Sequence, residues 1–167
     1  DNGRITWYNL DLPETIKVRN QIYGESGRVS TIGISALDSS WAEKVTVRGK
    51  MLFIIEGLSM YLTPDENKKI LSVIRDNFDN ATVMFECIAK KWVRKEHLEN
   101  SIKSTGAKFI FGADCFDELG DVAEGFVKIK DDNITRGMMK IMPILKPFEK
   151  LPVVDKVSEK ILIFEKI

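Results

Sequence analysis

The sequence has few of the residues on which disulfide-rich, metal-binding and triad-type proteins depend. It contains two cysteines, Cys87 and Cys115, and one histidine, His97, among 167 residues. Two cysteines are too few for a disulfide framework, and their spacing is not that of a metal site. A single histidine in a charged segment leaves no Ser-His-Asp or Cys-His arrangement to propose. We therefore expect a cytoplasmic protein without a bound metal, and the sequence leaves its catalytic residues unknown.

The sequence also has no charge excess and no long apolar segment. Lys+Arg and Asp+Glu both total 25, so the formal net charge is zero, whereas nucleic-acid-binding modules normally carry a basic excess. No apolar stretch reaches the ~18 residues that a membrane-spanning helix needs, and the polar opening is not a signal peptide. These absences predict no nucleic-acid partner and no membrane partner, and they leave open whether the chain forms a homo-oligomer.

The stretch from Met51 to Leu62, MLFIIEGLSMYL, is the most informative part of the sequence. Its first five residues are an apolar run with β-branched and aromatic members, which is typical of a strand buried on both faces of a parallel sheet. Glu56 and Gly57 follow at once. The next four residues, Thr63-Pro64-Asp65-Glu66, have capping-box spacing with proline at the first helical position. This order predicts one unit of a nucleotide- or cofactor-binding α/β sheet.

Strands and helices alternate along the rest of the chain. Strands are expected near residues 5–10, 28–35, 51–55, 81–88, 125–130 and 160–167, with the first four parallel. Helices are expected over 12–23, 40–45, 64–78, 90–104 and 116–123, and 136–148 has the pattern of a broken helix. No linker or repeat interrupts residues 1–167, which predicts a single α/β domain. Its sheet should be mostly parallel, with one antiparallel strand near the C-terminus.

Three acidic residues, Asp11, Asp38 and Glu56, stand where consecutive strands are expected to end. The carboxyl ends of parallel strands lie along one edge of a sheet, where open α/β sheets bind ligands. Ionised carboxylates there can accept hydrogen bonds from ribose hydroxyls, an amino group or an ammonium group. Asp11 and Asp38 could equally be helix caps or loop residues, but nothing near Glu56 needs it as a cap. We expect the three to converge beside a pocket.

Three motifs read together resemble one family. They are Asp11-Leu12-Pro13-Glu14, the segment ALDSSW at 36–41, and the segment EGLSMYL at 56–62. Their order and spacing are similar to those of the leucine carboxyl methyltransferase and polyketide O-methyltransferase family, which depends on S-adenosylmethionine. The resemblance is specific from about residue 7 to residue 86 and looser to the C-terminus. It implies a Rossmann-like class I methyltransferase sheet and methyl transfer to a carboxyl or hydroxyl oxygen of a small molecule or peptide.

The resemblance also implies roles for single residues. Asp11 would bind the ribose hydroxyls of the cofactor, Leu37 and Asp38 would hold its adenine, and Glu56 would lie near its methionine moiety. Gly57 would let the backbone approach the cofactor. Met60 and Tyr61 would face the methyl-transfer region or the substrate. Methyl transfer depends mainly on alignment of the nucleophile and the sulfonium, so the lack of an evident general base is not an objection.

The resemblance further implies a part that precedes this chain in the family. That part carries helices, the first strand and the glycine-rich loop that packs against the cofactor, and the present chain begins without methionine just before the second strand. We expect a C-terminal portion of a methyltransferase domain that is inactive by itself. The family's first strand is central, between the strands that begin at Ile5 and Met51. Without that strand a slot would remain between its two neighbours. We expect this slot to be closed by the two strands themselves, by another chain or by a further segment.

Two other functions stay open at this point. The first is a non-enzymatic binding or interaction module that keeps the α/β scaffold, which the lack of a glycine-rich loop favours. The second is a nucleotide-binding oxidoreductase, against which the absence of a G-x-G-x-x-G pattern counts.

Overall fold

The computed structural model describes residues 3–24, 27–95, 106–142, 144, 147, 151 and 156–167. Its six strands are β1 (Trp7–Asp11), β2 (Val29–Gly33), β3 (Lys50–Ile55), β4 (Asn80–Cys87), β5 (Phe126–Asn133) and β6 (Lys160–Lys166). Its four α-helices are α1 (Pro13–Tyr23), α2 (Trp41–Lys44), α3 (Pro64–Asn77) and α4 (Ile134–Ile141). Short 3-10 segments span Ser59–Tyr61, Lys90–Trp92 and Phe116–Ala123. All six strands predicted from the sequence are present.

The strands form two sheets that read as parts of one Rossmann-like sheet. Strands β1 and β2 pair in parallel, and the second sheet has the order β3-β4-β6-β5. Strands β3 and β4 are parallel, whereas β6 runs antiparallel to both β4 and β5. The predicted parallel start and antiparallel C-terminal end of the sheet are therefore confirmed. Among the described residues, no hydrogen-bonded ladder joins β1 to β3.

The sequence of α3 accounts for where this helix begins and which face it buries. The Thr63 side chain accepts a hydrogen bond from the Glu66 backbone at 3.2 Å, and Glu66 in turn accepts one from the Thr63 backbone at 2.8 Å. This reciprocal capping box satisfies two backbone donors that a helix start otherwise leaves open. The predicted apolar stripe is buried as expected, at Ile70, Leu71, Val73, Ile74 and Phe78.

Aromatic packing joins the two sheets through one core. Trp41 stacks on Phe78 with ring centroids 5.9 Å apart and meets Phe53 of β3 edge-on at 6.3 Å. Phe53 and Phe78 also contact each other at 4.9 Å. Ile32 of β2 belongs to the same buried cluster. Because Trp41 follows β2 and Phe53 lies on β3, this cluster holds the β1–β2 pair against the larger sheet.

Several local predictions differ from the structure. The segment predicted as a helix over 90–104 is a short 3-10 segment, Lys90–Trp92, followed by a turn to residue 95, and residues 96–105, with His97, lie outside the described residues. The Lys90 amide, at the start of this segment, donates to the Asp114 carboxylate at 3.2 Å. The helix expected over 116–123 is 3-10 in type, with a break at Gly120, where φ is 51°. Residues 134–141 form α4, and much of 142–148 lies outside the described residues.

The apolar side chains that face away from the core form a surface on β3 and α1. Leu52 and Ile54 of β3 are 60% and 45% exposed. On α1 only Ile16 is buried, while Val18 and Ile22 are exposed. None of the described helices is long and apolar enough to cross a membrane.

The aromatic cluster predicts a large loss of stability on truncation. Phe78→Ala should lower the free energy of unfolding by about 3–5 kcal/mol, because it removes a buried ring that touches two others. Urea unfolding followed by circular dichroism measures this loss. Val47→Ala, at an exposed apolar side chain, is the control and should change stability by less than about 0.5 kcal/mol. Equal effects of the two substitutions would contradict the role of the cluster.

The slot between β1 and β3 generates a second prediction. The two strands do not close on each other, so filling of the slot by another chain or segment stays a prediction. Unpaired strand edges with exposed apolar side chains promote association, so we expect the isolated chain to self-associate. Leu52→Lys combined with Ile54→Lys should shift it towards monomer in analytical ultracentrifugation. Met138→Lys with Ile141→Lys, two exposed positions on α4, is the matched control. A monomeric wild-type chain would contradict this expectation.

Candidate functional site

Asp11 ends β1 and pairs in register with Gly33, the last residue of β2. Its side chain is exposed, and Oδ1 accepts a hydrogen bond from the Leu12 backbone amide at 2.7 Å. Helix α1 has Leu12 as its N-cap, without a side-chain cap. The capping alternative for Asp11 is therefore wrong. The second carboxylate oxygen of Asp11 has no hydrogen bond within the part of the chain that the structure describes.

Asp38 lies in the loop between β2 and α2, in a tight turn. Its Oδ1 accepts a hydrogen bond from the Ser40 backbone amide at 3.0 Å. This bond, and then the Ser40 hydroxyl, hold the pKa of the Asp38 carboxyl below its usual range. Ser40 makes no side-chain cap to α2, although Ser40 and Glu43 have the spacing of a capping box. The backbone of this turn is anchored because the Trp41 indole donates to the Ala36 carbonyl at 3.1 Å.

Leu37 is the neighbour of Asp38 and is half-buried against the core. Its amide bonds to the Ser35 hydroxyl at 3.2 Å. An apolar side chain beside an exposed carboxylate is a combination that a heteroaromatic ring with an exocyclic amino group can use, because the ring needs apolar contact and the amino group needs an acceptor.

Glu56 and Gly57 form the corner after β3. The Glu56 side chain is exposed, and it has no hydrogen bond or ion pair among the described residues. Gly57 has φ of 62°, a value that favours glycine because other residues are strained there. No heavy atom lies within 4 Å of the position that a Cβ would take on Gly57. The corner therefore presents a free carboxylate beside open space.

Met60 and Tyr61 follow this corner in the short 3-10 segment. Met60 is only 4% exposed, and its carbonyl accepts hydrogen bonds from the Ile110 and Phe111 amides at 2.8 and 3.2 Å. Tyr61 is half-buried, with its ring 5.7 Å from that of Phe109. Met60 thus joins the corner to residues 110–111, and the more accessible Tyr61 is the better placed of the two to meet a substrate.

Glu86 is a site residue that the sequence analysis missed. It is 7% exposed near the end of β4, and its Oε2 accepts a hydrogen bond from the Gly57 amide at 2.6 Å. Strands β3 and β4 pair Ile55 with Phe85, so Glu56 and Glu86 come next on neighbouring strands. The signal was present in the sequence, because a carboxylate inside the otherwise apolar run ATVMFECI needs a reason to be there.

The described part of the chain contains a cavity that none of the predicted site residues lines. Its volume is about 360 Å³ and its walls come from β1, β2 and the segment after α2, at Tyr8, Ser30, Thr31, Ile32, Gly33, Ile34, Lys44 and Thr46. The carboxylates of interest lie instead at the exposed carboxyl ends of the strands. Convergence of Asp11, Asp38 and Glu56 around one ligand stays a prediction.

Comparison with known proteins gives one clear relative. No family model matches the chain. Over 108 residues, 65% of this chain, the sequence is 26% identical to the tetracenomycin polyketide synthesis O-methyltransferase TcmP of Streptomyces glaucescens, and the match covers 40% of that protein. The resemblance to polyketide O-methyltransferases that the motifs indicated is therefore confirmed.

Solved structures of low sequence identity share the fold. The chain is similar to the O-methyltransferase NcsB1 from neocarzinostatin biosynthesis, solved with S-adenosyl-L-homocysteine and 1,4-dihydroxy-2-naphthoic acid. The TM-score is 0.56 with 14% identity, over 98% of this chain and 42% of NcsB1. It is also similar to a pericyclic reaction enzyme, with a TM-score of 0.62 and 12% identity over 99% of this chain and 37% of that one. The chain spans about two fifths of the length of these three relatives, and the predicted methyltransferase-type fold, with a partial sheet, is confirmed.

The hydrogen bonds in the turn at Asp38 predict a lowered pKa for the Asp38 carboxyl. We expect the Asp38 carboxyl, followed by carbon-detected NMR, to titrate below the usual aspartate range because the Ser40 amide and hydroxyl stabilise its charged form. Ser40→Ala removes only the hydroxyl and should move the midpoint part of the way back. Ser39→Ala is the neighbouring control and should leave it unchanged. An unshifted wild-type midpoint would contradict the geometry of this turn.

Proposed function

We propose that this chain is the C-terminal portion of an S-adenosylmethionine-dependent O-methyltransferase that acts on a carboxyl or hydroxyl oxygen. The observation that carries the proposal is the sequence similarity to the O-methyltransferase TcmP. The fold shared with NcsB1, which was solved with the demethylated cofactor, supports S-adenosylmethionine as the cofactor. NcsB1 was solved with 1,4-dihydroxy-2-naphthoic acid, which supports a small-molecule substrate that offers a hydroxyl or carboxyl group, and the family resemblance adds a peptide as the alternative.

The polar groups present suit this cofactor. Ribose hydroxyls, an adenine amino group and an ammonium group are all donors, and ionised carboxylates are acceptors only. The free carboxylate oxygen of Asp11 would accept hydrogen bonds from the ribose hydroxyls. Leu37 and Asp38 would bind the adenine, and Glu56 would bind the ammonium group at the methionine end. The open space at Gly57 leaves the backbone of the corner accessible. Met60 and Tyr61 would lie towards the substrate, with the half-buried Tyr61 as the more accessible of the two.

The main task of these residues would be to align the substrate oxygen with the methyl group of the cofactor. The cofactor supplies a methyl group on a positively charged sulfur, and the substrate oxygen must approach it in line. Positioning alone can account for a large share of the rate of such a transfer. The chain's own residues would therefore bind and orient, and no residue among those described is assigned the role of general base.

A second candidate function is a non-enzymatic α/β binding module. The fold is compatible with it, because the fold is shared with an enzyme of a different reaction class and is therefore not confined to methyl transfer. A fold by itself does not determine a reaction. The two candidates differ in one measurable respect, because only the first requires S-adenosylmethionine binding by a longer form of the chain.

Calorimetric titration with S-adenosylmethionine and with S-adenosylhomocysteine tests the proposal. We expect the isolated chain to bind weakly or not at all, because small-molecule sites usually bury most of their ligand and these residues contact it from one side. A longer chain that includes the expected N-terminal strand and glycine-rich loop should bind and transfer the methyl group. Tight binding by the isolated chain would refute the half-site argument, and no binding by the longer chain would favour the non-enzymatic module.

The role of Glu56 has its own test in the longer chain. Glu56→Ala should weaken cofactor binding by roughly 1–3 kcal/mol, the range for losing a charged hydrogen-bond partner. Glu165→Ala removes a different exposed carboxylate, on β6, and should leave the affinity unchanged. Equal affinities of the wild type and Glu56→Ala would remove Glu56 from the site.

A further inference from the structure

The buried carboxylate of Glu86 needs a physical account. It is 93% buried in a strand whose neighbouring side chains, Phe85 and Cys87, are almost fully buried as well. A buried charge is costly unless it is paired or hydrogen-bonded. The structure gives this carboxylate a backbone amide as its partner, that of Gly57, and not an exposed lysine or arginine at the surface.

The bond between Glu86 and Gly57 is of the strong kind. The distance from the amide nitrogen to Oε2 is 2.6 Å, and charge-assisted hydrogen bonds are shorter and stronger than neutral ones. Gly57 has a positive φ, a conformation that residues with a side chain rarely adopt, so glycine allows the chain to turn directly after the bonded amide. The partners are 29 positions apart in sequence, and the bond ties the corner after β3 to the neighbouring strand.

Two further side chains hold the same corner. The Ser59 hydroxyl donates to the backbone carbonyl of Glu86, and Ser59 is completely buried. Asn67 of α3, 1% exposed, donates from Nδ2 to the carbonyls of Ser59 at 3.0 Å, Thr63 at 3.1 Å and Leu62 at 3.4 Å. The corner from residue 57 to residue 63 is thus fixed from β4 on one side and from α3 on the other.

The exposed residue that directly precedes this hydrogen-bonded corner is Glu56. It immediately precedes Gly57, so the direction of the Gly57 peptide decides where the Glu56 side chain leaves the backbone. The side chains that fix the corner are buried, whereas Glu56 is exposed and free of partners among the described residues. A buried polar support beneath a free surface carboxylate is the arrangement by which proteins pre-orient a binding group.

We propose that Glu86 is a positioning residue for the cofactor site: its buried carboxylate holds the Gly57 amide and so orients Glu56 before any ligand arrives. The purpose of this positioning rests on the proposed function, but the positioning itself does not. Ser59 and Asn67 support the same turn. Glu86 would affect cofactor binding without touching the cofactor.

The first measurement follows the Gly57 amide by NMR in the chain itself. We expect slow hydrogen exchange and a downfield proton shift, because the amide donates to a buried carboxylate. Glu86→Gln keeps an acceptor oxygen of nearly the same shape, so it should retain protection while the shift moves upfield. Glu86→Ala should lose both. Glu165→Gln, at an exposed carboxylate on β6, is the matched control. A Gly57 amide that exchanges as fast as an unbonded one in the wild type would overturn the proposal.

The second measurement is S-adenosylhomocysteine binding by the longer chain. Glu86→Ala should weaken binding about tenfold or more, Glu86→Gln should recover most of the affinity, and Glu165→Gln should have no effect. Each variant's unfolding transition is recorded, and if Glu86→Ala does not fold, Ser59→Ala takes its place with the same expected direction. Wild-type affinity in a folded Glu86→Ala or Ser59→Ala protein would overturn the proposal. If the wild-type longer chain does not bind, the proposed function fails, and the Gly57 amide still decides whether Glu86 orders the corner.

Discussion

The packing of Trp41 against Phe53 and Phe78 is the interaction on which the rest of the structure depends. No ladder of hydrogen bonds joins the β1–β2 pair to the four-stranded sheet within the described part of the chain, so side-chain contacts must hold the two together. The three rings lie 4.9 to 6.3 Å apart. Asp38 stands three residues before Trp41, and Glu56 three residues after Phe53. The aromatic cluster therefore also fixes the spacing between two of the candidate binding carboxylates.

The elements that the sequence predicts well are those whose cause is local. Helix α3 begins at a reciprocal cap between Thr63 and Glu66 and buries the stripe that its periodicity indicates. Strands β3, β4 and β6 contain apolar runs, and the motif around Glu56 indicated both the corner and the family. In each case the physical cause lies within about a dozen residues, so a reading of the sequence can find it.

The structural features that could not be predicted from the sequence depend on contacts between distant positions. The bond from Gly57 to Glu86 joins residues 29 apart, and the bond from the Lys90 amide to the Asp114 carboxylate joins residues 24 apart. Asp11 illustrates the same limit at short range, because its spacing to Glu14 is that of a capping box and yet its carboxylate does not cap the helix. It bonds to Leu12 and leaves α1 without a side-chain cap. Tertiary geometry selects one partner where the sequence allows several.

The two glutamates at the ends of β3 and β4 show how burial divides chemical roles between identical side chains. Glu56 is exposed and free of partners among the described residues, so its carboxylate can bind a ligand with little rearrangement. Glu86 is buried and already bonded, so using it for a ligand would first require breaking the Gly57 contact and leaving an amide unpaired, a penalty of about 1–3 kcal/mol. In our proposal the same group therefore acts on the surface as a binding residue and below it as a support. A glutamate to glutamine exchange separates these roles, since an amide can still accept from Gly57 but cannot replace the charge of Glu56.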